Sequence, residues 1–84
     1  MMTEEDRQAK MASLAHCRAQ AEKYYDDMYE AHSFRDANDC YREAKDFLYS
    51  AIGFANELGL AVEAEALSNR LAHIKGVFRS QFVQ

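Results

Sequence analysis

Residues 34–58 place apolar side chains at Phe34, Ala37, Tyr41, Ala44, Leu48, Ala51, Ala55 and Leu58, an unbroken alternation of three and four. Such spacing becomes one continuous stripe only on a helix; a strand would need a period of two. The remainder of the chain repeats the pattern. Leu14, Cys17, Ala21, Tyr24, Met28 and Ala31 form a second stripe, and Leu60, Ala64, Leu67, Leu71, Ile74 and Phe78 a third. Proline is absent and there are only three glycines, which suits long helices and leaves an all-β fold short of turn residues.

Boundaries follow from the punctuation. Helices are predicted over about 3–31, 34–58 and 61–82. Thr3 precedes Glu4, Glu5 and Asp6, acids that the helix dipole favours in a first turn. Ser33 is a good N-cap, with Asp36 standing in for the Glu of a capping box. Gly59 suits a left-handed C-cap. Gly76 lies inside the third segment and weakens it by about 1 kcal/mol relative to Ala, so its last turns are expected to fray or bend.

Short connections force neighbouring helices to run antiparallel. The expected fold is all-α, an up-down-up three-helix bundle with long helices, forming one domain over residues 1–84. Counting away from each turn brings Tyr24 level with Tyr41 and Phe78, Ala21 with Ala44 and Ile74, Cys17 with Leu48 and Leu71, and Leu14 with Ala51 and Leu67. Cys17 and Cys40 differ by eight levels, roughly 12 Å, too far for a disulfide. Both are expected to be buried or half-buried thiols in a reducing cytoplasm.

Several function classes are disfavoured. The net charge of −4 argues against a nucleic-acid partner, which would need clustered Lys and Arg. No apolar run approaches the ~20 residues of a membrane span, and the acidic start MMTEEDRQAK resembles neither a secretory signal nor a transit peptide. His16, His32 and His73 fit no metal-binding spacing, and Gly-rich phosphate loops are missing. The expectation is a non-enzymatic chain without a cofactor or a metal.

The second helix carries more apolar side chains than one stripe requires. Cys40, Phe47 and Phe54 repeat every seven residues on a second line, with Tyr49 and Ile52 elsewhere on the circumference. A wide stripe can simply pack both neighbours, or the extra line can be a surface for another chain. The second option is expected, with self-pairing about a two-fold axis as the first candidate. The predicted interface is Cys40, Phe47 and Phe54, with Tyr25 and Tyr29; a dimer, or a partner helix or peptide, is the expected assembly. The alternative is a small-ligand or metal site at the acidic, tyrosine-rich end around Asp26, Asp27, Glu30, Asp36, Asp39 and Glu43. Lys75 and Arg79 are expected to neutralise part of that end.

Phe34, Ala37, Tyr41 and Ala44 follow an aromatic-x2-Ala-x3-aromatic-x2-Ala order that resembles the second helix of a tetratricopeptide-repeat hairpin. It is similar to a stretch of the three-helix MIT (microtubule-interacting and trafficking) domain. About a dozen residues carry the resemblance, and Tyr25 stands where the repeat family has a small residue. The resemblance implies binding of a peptide or helix in a groove between helices.

Overall fold

The structure is a computed structural model and describes residues 2–83. Among them the chain forms three helices and no strand. Thr3 opens the first: its hydroxyl accepts from the Asp6 amide at 3.0 Å, and α1 runs Glu4–Glu30. Ser33 does the same for the second, accepting from the Asp36 amide at 3.1 Å, and α2 runs Phe34–Glu57. Each hydroxyl satisfies an amide that the helix itself leaves without a partner. At the far end of α2 the Leu60 amide donates to the Ala55 carbonyl at 2.9 Å and the Gly59 amide to the Asn56 carbonyl at 3.1 Å. This closure holds Gly59 at φ +73°, a left-handed conformation open to glycine at little cost. α3 then runs Ala61–Gln81, unbroken at Gly76. Every boundary falls within one residue of its expected place.

The result is the antiparallel three-helix bundle, with α2 central. Its overall dimensions are 47 × 19 × 13 Å. The length is set by α1, whose 27 residues span about 40 Å. α1 lies close against α2 because the contact is built from small side chains. Ala21, Ala44, Ala51 and Ala55 are fully buried, with Cys17 beside them. α3 supplies the bulk that fills the remaining space, through Leu67, Leu71 and Ile74 against Leu48. Alternating small and large residues across facing positions fill volume without voids. α1 and α3 meet more loosely, through long side chains.

The residues expected in those layers are buried except at one end, although α1 and α3 meet at Arg18–Glu63 and Glu22–Arg70, several positions out of the counted register. Leu14, Cys17, Ala21, Leu48, Ala51, Leu67, Leu71 and Ile74 share one cluster, and Tyr41 stacks on Phe78 with ring centroids 3.9 Å apart. Tyr24 does not join that pair. It lies at the edge of its stripe and turns outward to stack on Phe47, while Met28, fully buried, packs with Ala37 and Phe78 instead. Phe34, expected in the stripe, remains 57% exposed, with its ring 5.9 Å from that of Phe78. Cys17 and Cys40 fall in different clusters and are both free thiols.

Candidate interaction surfaces

The five residues expected at an interface do not form one patch. Cys40, Phe47 and Phe54 are half-buried along the outer seam between α1 and α2. Tyr24 of α1 lies parallel to Phe47 at 5.8 Å, and His16 meets the same ring edge-on at 6.1 Å. The line was expected on an outward arc, clear of the neighbouring helices. Instead α1 covers part of it, because the close α1–α2 approach brings Tyr24 and His16 within ring contact. What remains exposed is a strip shared by two helices, Cys40, Phe47 and Phe54 from α2 with Tyr24 and His16 from α1. Those last two were not among the expected interface residues; only the seven-residue line on α2 was.

Cys40 lies at one end of this strip. Burial raises its thiol above the ordinary range, and the carboxylates of Asp27, Asp36 and Asp39 raise it further. The protonated thiol therefore behaves there as a small apolar group. At the other end Phe54 borders a shallow depression with Ser50, Gly53 and Glu57, and Glu57 meets Lys10 of α1 at 3.7 Å.

Tyr25 and Tyr29 lie on the opposite flank of α1, facing α3. Their hydroxyls are 3.2 Å apart and their rings nearly perpendicular. Tyr29, 47% exposed, meets Phe82 edge-on, and Tyr25 tilts against His73. The hydrogen bond with Tyr29, then burial, raises the Tyr25 phenol, so it stays neutral. The Arg70 guanidinium lies 4.7 Å above the Tyr25 ring and grips Glu22 with two hydrogen bonds of 2.9 and 2.6 Å. Glu22 raises the pKa of Arg70 further, keeping it charged. Further down the same seam Arg18 pairs with Glu63 at 2.8 Å. These two bridges span a cleft whose walls include Ala15, Ala19 and Ala66 and whose floor includes Leu48.

The acidic end is organised differently from expectation. Lys75 does not turn towards the carboxylates; its ammonium donates to the Tyr49 hydroxyl at 2.9 Å on the α2–α3 flank. Among the described residues the ion pair at the acidic end is Lys23 with Asp27, 3.4 Å apart on the same helix. Among the described residues no group of three His, Cys, Asp or Glu side chains could hold a metal ion, and no helix is long and apolar enough to cross a membrane. His16 and His73 lie at separate aromatic contacts, on Phe47 and Tyr25 respectively. No protein-family model, curated protein or solved structure matches the chain.

Proposed function

We propose that this chain is a non-enzymatic protein-interaction module that pairs with a second copy through the outer α1–α2 seam. The observation that carries the reading is the strip itself. Phe47 and Tyr24 stack there side by side, half-buried, with Cys40 and Phe54 continuing the line. Two helices have already desolvated one edge of each group, and an identical strip laid across it covers the other. Aromatic side chains that finish their burial in this way dominate interface energy. A two-fold axis near Phe47 brings each copy's ring against the other's.

The test is sedimentation velocity of the wild type against Phe47→Asp, with far-ultraviolet circular dichroism of both. The expected result is a helical Phe47→Asp chain that sediments as a monomer where the wild type sediments as a dimer. An unfolded Phe47→Asp chain places the ring in the bundle's own core. In that case Tyr24→Glu, on the α1 side of the stack, decides: a variant that is folded yet still dimeric removes this seam from the assembly.

A further inference from the structure

The cations of this acidic chain are unevenly satisfied. Four ion pairs form among the described residues, and they engage Lys10, Arg18, Lys23 and Arg70. Lys45, Lys75 and Arg79 are in none of them. Helix neighbours three and four residues away are the positions that ordinarily supply an intrahelical partner. For Lys45 these are Tyr41, Arg42, Leu48 and Tyr49; for Lys75 they are Leu71, Ala72, Phe78 and Arg79; for Arg79 they are Lys75, Gly76, Phe82 and Val83. No carboxylate is among them, in a chain with 14 acids against 10 bases.

Packing gathers Lys45 and Lys75 on the α2–α3 flank, over aromatic rings, with Arg79 one turn beyond Lys75. Lys45 stands 4.5 Å above the Tyr41 ring, which stacks on Phe78. Lys75 bonds the Tyr49 hydroxyl and lies 5.3 Å from the centre of that ring. Arg79, one turn on, sets a second positive charge beside Lys75. Tyr49 is 52% exposed, and Phe34 at the end of the same flank 57%. Rings hold the ammonium groups in place without neutralising them, and the exposed rings offer apolar contact between the charges.

We infer that the α2–α3 flank, with Lys45, Lys75 and Arg79 set around Tyr41 and Tyr49, docks an acidic segment of another protein. Charge complementarity selects that occupant. The cations are spread along two helices, so several carboxylates on an extended segment satisfy them together, and an apolar side chain of the same segment covers the exposed rings. A polyphosphate chain offers the charge but no apolar side chain to cover the exposed Tyr49 and Phe34 rings. This flank lies across α2 from the strip proposed for self-pairing, so the two inferences stand or fall separately.

The probe is a fluorescein-labelled peptide, acetyl-Glu-Glu-Leu-Glu-Glu-Phe-Glu-Glu-amide, titrated with the whole chain and followed by anisotropy. Its Glu-to-Gln counterpart and an oligothymidylate of similar length are titrated alongside. The acidic peptide is expected to bind, to weaken as salt rises, and to lose affinity at least tenfold against Lys45→Gln/Lys75→Gln. Arg18→Gln, on the α1–α3 seam, is expected to leave its affinity unchanged. The neutral peptide is expected not to bind. Absence of binding, equal binding of the neutral peptide, or indifference to the double substitution overturns the proposal. Tighter binding of the oligonucleotide overturns it as well, because the flank then serves a phosphate backbone. Circular dichroism of the double variant confirms that lost binding is not lost folding.

Discussion

Arg70 and Lys75 stand five residues apart on α3 and face different worlds. Arg70 points to α1, where Glu22 takes two of its hydrogen bonds and Tyr25 lies under its plane. Lys75 points to α2 and finds a tyrosine hydroxyl and ring, with another cation one turn on. Five residues on a helix amount to about 140° around the axis, enough to put two bases of one helix on opposite seams. The α1–α3 seam has its charges balanced inside the molecule. The α2–α3 flank does not, and the outer α1–α2 seam leaves half-covered aromatics in the same unfinished condition. Surface that a folded chain leaves incomplete, in charge or in burial, is surface it can complete with a partner.

The contrast can be broken from the inside first. Ile74 lies fully buried beneath both flanks of α3, and Ile74→Ala is expected to lower unfolding stability by about 2–5 kcal/mol. Urea denaturation measures it. A loss under about half a kilocalorie would mean that α3 is not held against α2 as described, and both seams would lose their geometry.

The next effect concerns the turn that aims α3. Gly59→Ala places a Cβ at φ +73° and is expected to cost about 1–2 kcal/mol. Gly76→Ala works in the other direction. It lies within α3, with nothing within 4 Å of an added Cβ, and is expected to add about 1 kcal/mol. Thermal melts of the two variants should therefore move to opposite sides of the wild type. Shifts of the same sign would contradict the conformations assigned to one of these glycines.

The charges themselves give smaller effects and the sharper comparison. Removing Arg70 by Arg70→Gln should lower stability by about 0.2–1 kcal/mol, less so in high salt, because the pair with Glu22 is partly exposed. Lys75→Gln should change stability by less than about 0.5 kcal/mol. Equal losses at the two positions would erase the distinction between the seams. The last expected effect is a pH dependence. Burial raises both thiols above their ordinary value of 9.0. The protonated forms then contribute stability that is complete below about pH 9 and is lost as the pH rises through the raised folded-state values. Alanine at Cys17 and Cys40 should flatten the alkaline end of the stability profile; an unchanged slope would remove the thiols as its cause.

The helices, their caps and the topology were legible because each rests on local chemistry. Thr3 and Ser33 cap where hydroxyls precede apolar periodicity, and Gly59 ends α2 where only a glycine turns left-handed readily. What level-counting could not resolve was direction around each axis. Tyr24 and Met28 sit on one stripe, but Met28 lies near its centre and enters the core, whereas Tyr24 lies at its edge and stacks on Phe47. The same limit grouped Tyr25 and Tyr29 with Cys40, Phe47 and Phe54, although α1 separates them. Lys75 was assigned to the acidic end by height alone. Its place on Tyr49 depends on which side of α3 faces α2, a fact of packing between helices distant in sequence.

The most direct test of the interaction-module reading is the molar mass of the wild-type chain by light scattering, from about micromolar to millimolar concentration. The account predicts a mass that rises from that of one chain, 9.6 kDa, to twice that and then stays level, as a closed two-fold pair requires. A mass fixed at one chain across the whole range would contradict it.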